Sequence, residues 1–227
     1  MQNPVSLVPR IASYDRMGDR TLSADEIRVY VRLLNAVPGP LTQAFLQFHI
    51  LTGGQRPRQL IAAPWTSYNL ADGVVSIIDG KGRGAAREHL VPLLPDAIRI
   101  LHEVKKISGD FTAPFMNRKD TSLRLETLVK AVTAIATTEI DGELVFEKRF
   151  TLRDIRRTVE TRMVDLGISN EVRSQLLSHD RGGKTEQTYN TNTYLPQKRK
   201  ALRAWVNFLQ SEDDARNVVR IGKSKTV

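Results

Sequence analysis

Apolar residues recur at helical spacing along most of this chain and alternate at strand spacing in one place. Ser23-Ala24-Asp25-Glu26 reads as a capping box, opening a helix whose apolar face carries Ile27, Tyr30, Val31 and Leu34. Pro38-Gly39-Pro40 stops it. Residues 41–51 are apolar on most sides, which predicts a buried helix. A short helix follows, with Arg56 at its start. Pro95 fits the first turn of another, running through Ile98, Ile100, Leu101 and Val104 with His102 on its polar side. Residues 123–135 give a further amphipathic helix. Ile155, Val159, Met163 and Leu166 form the core face of the next, which Gly167 ends. Ser169 or Asn170 caps a helix burying Val172, Leu176 and Leu177. A last helix, over 196–209, buries Leu202, Trp205, Val206 and Leu209. Only 74–78 and 88–93, on either side of a glycine-rich turn, read as strands. The pattern predicts a mainly α protein with a small antiparallel β-hairpin or sheet, an α+β fold.

What lies between these elements sets the boundaries. Residues 1–22 carry prolines and no periodicity, as expected of a linker or arm; 214–227 form a polar tail, leaving one domain over 23–213. Residues 107–120 read as a loop, and 137–148 as irregular and acidic, with a turn at Asp141-Gly142. The 227 residues can bury a full core, and 34 Lys+Arg against 25 Asp+Glu give a net charge of +9, which suits a polyanionic partner. The absence of cysteine excludes disulfides, thiolate zinc sites and a thiol nucleophile. With no apolar run of membrane-spanning length and no signal-peptide core, a soluble cytoplasmic protein is expected.

Candidate chemistry gathers at 151–195. Arg153, Arg156 and Arg157 sit near the N-terminal end of a helix, where the dipole disfavours cations, so an anion is expected to meet them. His179 follows the next helix, and Tyr189 and Tyr194 follow that. Upstream, LTGGQRPRQL places Arg56 after a tight Gly53-Gly54 turn, and the hairpin loop GKGRG carries Lys81 and Arg83, with Arg87 just beyond. That loop lacks the phosphate-loop spacing GxxxxGK[ST], which excludes a nucleoside-triphosphatase (NTPase) reading. Taken singly, each residue has a plainer use: a turn arginine, a solvated loop tip, a histidine on a helix dipole, a packing tyrosine. His89 and Trp65 read as structural, Lys130 as solvated, and the basic run Gln197-Lys198-Arg199-Lys200 as a solvated helix face.

Arg56, Lys81, Arg156, His179 and Tyr189, in this order, resemble the catalytic part of tyrosine recombinases, the phage-integrase family. Arg56 matches the arginine of a TGxRxxE-like motif, with Gln59 in place of the acid. Arg153 stands where the family has His or Lys, so the usual general-base assignment does not carry over, and Arg153 remains a possible catalytic or phosphate-binding residue. The resemblance implies attack by Tyr189 on a DNA phosphate, giving a 3′-phosphotyrosyl link. Arg56, Arg156 and His179 would surround the phosphate, and Lys81 would donate a proton to the leaving 5′-oxygen. Tyr194 is the alternative nucleophile. Arginine suits the task because its guanidinium bonds two phosphate oxygens and stays charged. Cations also favour the phenolate of a tyrosine whose unperturbed pKa is about 10. The link retains the phosphoester bond, so neither cofactor nor metal is called for. Arg83, Arg87 and Arg157 would contact backbone phosphates. The implied partner is double-stranded DNA bearing attachment sites, with a homotetramer on DNA and a monomer when free. In the family, a segment like 1–22 joins an upstream DNA-binding domain, and residues 202–209 would pack on a neighbouring protomer. A type IB topoisomerase-like nicking-closing enzyme, or a non-catalytic DNA-binding protein on the same fold, are the alternatives.

Overall fold

Ser23 opens the first helix, α1 (Ala24–Leu33), through the expected reciprocal box: its hydroxyl accepts from Glu26 N, and the Glu26 carboxylate accepts from Ser23 N. The structure is a computed structural model and describes residues 20–80, 87–117, 121–179 and 194–211. Two further helices follow, α2 (Pro40–Leu51) and the short α3 (Pro57–Ala62), each with proline in its first turn. Strands β1 (Tyr68–Asn69), β2 (Val74–Asp79) and β3 (Arg87–Pro92) form one antiparallel sheet in the order β1-β2-β3. Ile77 is registered against His89, and Asp79 against Arg87. Helices α4 (Pro95–Ser108) and α5 (Leu125–Ala136) lead to a two-residue ladder, β4 (Glu139–Ile140) with β5 (Glu143–Leu144). Helices α6 (Leu152–Asp165), α7 (Asn170–Leu177) and α8 (Leu195–Gln210) complete the described chain.

The core is continuous across these helices and the inner face of the sheet. Helix α2 is buried on most sides through Phe45, Leu46, Phe48 and Ile50. Phe45 and Phe48 both meet Phe115 at ring-centroid distances of 4.8 and 5.6 Å. On α6, Ile155, Val159 and Met163 are fully buried. Each such side chain contributes roughly 1.5–3 kcal/mol over an exposed one, which outweighs the weak helix propensity of the β-branched members. Gly167, at φ +71°, ends α6, and the Ser169 hydroxyl caps α7 by accepting from Val172 N.

Several expectations are revised. Packing of residues 202–209 on a neighbouring protomer is corrected: Leu202 and Trp205 are fully buried in this chain's own core, and the Trp205 indole donates to Ile50 O at 2.9 Å. The basic start of α8 is not simply a solvated face. Lys198 is buried and donates to Leu90 O of β3 at 2.8 Å, while Arg199 donates to the carbonyls of Asp72 and Gly73. Periodicity identifies a lysine on a polar run but not the strand carbonyl that waits for it. Leu22, placed by its sequence at the end of the linker, is fully buried; its N–H donates to Thr158 and its carbonyl accepts from Arg162. The irregular 137–148 segment holds the β4–β5 ladder, turning at Asp141-Gly142, both at positive φ. Among the described residues, no helix is long and apolar enough to cross a membrane.

Candidate active site

Helix α7 is only a little over two turns long, and its C-terminal carbonyls have no partners within the helix. Side chains from three other parts of the chain supply them. Leu176 O accepts from Gln55 Nε2 at 2.9 Å and lies 3.0 Å from His89 Nε2, which must therefore carry the proton. Leu177 O accepts from Arg156 Nη2, and Ser178 O accepts from Arg56 Nη2 at 3.2 Å. Two guanidinium groups thus rest on successive carbonyls at the negative end of a helix, immediately before His179. The anion expected for Arg156 is, in this structure, a set of carbonyl dipoles.

Each arginine is fixed a second time. Arg156 Nη1 donates to Gly54 O at 3.0 Å. The Gly53-Gly54 turn, at φ +80° and +68°, packs so tightly on α6 that a Cβ on Gly54 would lie 3.0 Å from Arg156 Cα. The two glycines permit the turn, as expected, and Gly54 also permits this approach. Arg56 caps α3 and pairs with Asp79 Oδ2 at 2.7 Å. The carboxylate that the motif lacks at Gln59 is thus supplied from the end of β2; Gln59 itself donates to Asp79 Oδ1 at 2.9 Å. Ser178, in the left-handed region at φ 49°, also donates its hydroxyl to Asp79. His179 Nδ1 lies 3.2 Å from Glu160 Oε1 on α6, one helical turn beyond Arg156. Arg156 and Glu160 thereby reach the end of α7 from one face of α6.

Burial shapes the charges. Arg156 is pushed down to about 10 by desolvation and then by the Arg56 charge, and stays cationic at neutral pH. His49, fully buried on α2, is pushed down to about 4 by burial and then by Arg156. His89 is pushed down to about 3 by burial and then by Lys198, and Lys198 down to about 8 by burial. Both histidines are therefore neutral, and His89 is structural as expected. Trp65 is half-buried against the core, and His102 and Lys130 are exposed.

The structure brings together Arg56, Arg156 and His179. Arg153 is exposed on the first turns of α6 and Arg157 half-buried; Arg87 is exposed at the start of β3. Lys81, Arg83 and Tyr189 lie outside the described residues. Tyr194 caps α8, and its hydroxyl donates to Glu171 in the first turn of α7. That end is about 10 Å along the helix from the carbonyls that hold the arginines. Sequence reasoning passed over Asp79, Ser178, Gln55 and Glu160. Asp79 had a signal: Val75, Ile77 and Asp79 alternate onto the buried face of β2, and an inward carboxylate needs a partner.

Solved structures share this architecture. The chain is similar to the XerA recombinase, with 16% identity and a TM-score of 0.56 over 85% of this chain and 65% of that one. It is similar to a lambda integrase dimer bound to a COC′ core site, with 20% identity and a TM-score of 0.51 over 71% of this chain and 58% of that one. Against the lambda integrase catalytic core the values are 18% and 0.50, over 73% of this chain and 94% of that one. The fold is that of a tyrosine recombinase catalytic domain, and the chain spans less than two thirds of the first two of these structures. No curated protein sequence matches it. The chain belongs to the phage integrase family, whose sequence model matches residues 20–195.

Proposed function

We propose that this chain is the catalytic domain of a site-specific recombinase that cuts and rejoins double-stranded DNA through a 3′-phosphotyrosyl intermediate. The observation that carries the reading is the pair of guanidinium groups held on the Leu177 and Ser178 carbonyls beside His179. A phosphate bound there meets donors that are already oriented, so its developing charge is stabilised without reorganisation. The Tyr189 oxygen attacks phosphorus as the phenolate that the surrounding cations favour, its proton released to solvent, and the bond to the 5′-oxygen breaks. Lys81 gives that oxygen its proton, and His179, oriented by Glu160, bonds a non-bridging oxygen. Arg153 is always protonated and adds charge rather than accepting the phenol proton. Arg83, Arg87 and Arg157 hold backbone phosphates on either side. A second 5′-hydroxyl reverses the step on another strand, within a homotetramer assembled on DNA in the cytoplasm.

The test is a nicked duplex whose cleavage releases a short fragment and traps the enzyme. A protein–DNA adduct that survives denaturation is expected; its absence, with the protein folded and DNA-bound, refutes the reading. Resolution of a synthetic Holliday junction separates recombination from simple nicking and closing.

A further inference from the structure

One carboxylate lies where three segments of the proposed site converge. Asp79 ends β2, two residues before Lys81, and is buried at 3% exposure. Its Oδ2 accepts from Arg56 at 2.7 Å and from the Ser178 hydroxyl, and its Oδ1 accepts from Gln59 Nε2 at 2.9 Å. Ser178 precedes His179 and returns its carbonyl to the same Arg56. The hairpin bearing Lys81, the helix bearing Arg56 and the turn bearing His179 are therefore tied to one side chain.

We infer that Asp79 is the positioning carboxylate of the cleavage reaction, and that the glutamine at 59 is the amide this placement requires. The inference rests on the function proposed above. A guanidinium that approaches a phosphate must be held against thermal swing. A displacement of about 1 Å in such a group costs on the order of 10²-fold in rate. A buried carboxylate, in turn, is tolerable only when its oxygens are bonded and its charge is paired. Asp79 meets both conditions through Arg56, Ser178 and Gln59. A glutamate in place of Gln59 would put a second carboxylate 2.9 Å from the first, where two negative charges cannot both persist. The acid and the amide are thus a matched pair, and exchanging them preserves one negative charge and one donor. In the exchanged pair, the amide now on β2 donates to the carboxylate now on α3, and the amide oxygen still faces Arg56 and Ser178.

The experiment compares wild type, Asp79→Asn, Gln59→Glu and the double variant, by urea unfolding midpoint and by adduct formation on the nicked duplex at saturating DNA. Both single variants are expected to unfold at lower urea. While still folded, as near-ultraviolet dichroism reports, they should form adduct about 10²-fold more slowly, with DNA affinity unchanged. The double variant should recover most of the midpoint and come within about tenfold of the wild-type rate. A merely structural carboxylate would lower the midpoint and leave the rate of the folded protein unchanged. Adduct formation by Asp79→Asn at the wild-type rate overturns the inference. So does a double variant whose losses are the simple combination of the two single ones. Should wild type form no adduct, the proposed function fails, while the unfolding midpoints still decide whether 59 and 79 are a matched pair.

Discussion

Alanine at Gly54 is a direct probe of how closely the arginine pair is held. Two costs can be worked out separately. At φ +68° an L-residue incurs a left-handed backbone penalty of roughly 1–2 kcal/mol. The added Cβ would also stand 3.0 Å from Arg156 Cα and 3.4 Å from its Cβ, against an optimum carbon–carbon separation of about 3.5–4.0 Å. The turn and α6 must therefore part by about half an ångström, which adds overpacking of about 1–3 kcal/mol. A destabilisation of roughly 2–5 kcal/mol results. Because Gly54 O also accepts from Arg156 Nη1, the same movement displaces the guanidinium. With a full ångström costing about 10²-fold, half of one should slow adduct formation about tenfold. Gly167→Ala is the control, since Gly167 has φ +71° and nothing within 4 Å of the place an added Cβ would take. It should lose only the backbone penalty, by urea unfolding, and keep the wild-type adduct rate. If Gly54→Ala matches Gly167→Ala in both stability and rate, the close approach does not hold Arg156, and the reasoning fails.

Other variants address single roles. Tyr189→Phe should abolish the covalent adduct while DNA binding persists. Tyr194→Phe should keep the adduct and lose about 1 kcal/mol of stability with its Glu171 hydrogen bond; a denaturing gel showing the reverse would reassign the nucleophile. Lys81→Ala should be about 10²–10⁴-fold slow on a normal phosphodiester, yet close to wild type on a substrate with bridging 5′ sulfur, whose thiolate leaves without a proton. Equal impairment on both substrates would make Lys81 a phosphate-positioning residue. His89, at about 3 when folded against 6.5 when unfolded, contributes stability that is complete above pH 6.5 and falls as pH drops toward 3. His89→Gln should remove about 1.4 kcal/mol per pH unit of that slope, or about 2 kcal/mol between about pH 6.5 and 5, read by urea unfolding at each pH. An unchanged slope would show that His89 protonates freely in the folded state.

The helices were legible because their causes are local. The Ser23–Glu26 box, the prolines that start α2, α3 and α4, and the spacing of Ile155, Val159 and Met163 each act within a few residues. Arg56, Arg156 and His179 were legible by resemblance, and they do converge. What could not be read was contact between distant segments. Lys198 reaches Leu90 across 108 residues, and Ser178 reaches Asp79 across 99. Neither leaves a periodic trace at its own end. The exception is Asp79, where strand alternation already points a carboxylate inward.

The dependence of α7 on borrowed donors bears on when the proposed DNA cleavage becomes possible. A helix of this length is marginal in isolation, and its last carbonyls are held by Gln55, Arg56, His89 and Arg156. A nascent or proteolysed chain carries the same arginines, histidine and tyrosine, but nothing yet aligns them. If the proposed function holds, cleavage competence arrives with the last long-range contacts and departs with the first of them to open. Hydrogen exchange at the end of α7 would report both events on one amide, His179 N–H, which is bonded to Ser174 O at 3.0 Å. Under the proposed function, a half-folded molecule carries the site's arginines without the geometry that strand cleavage needs.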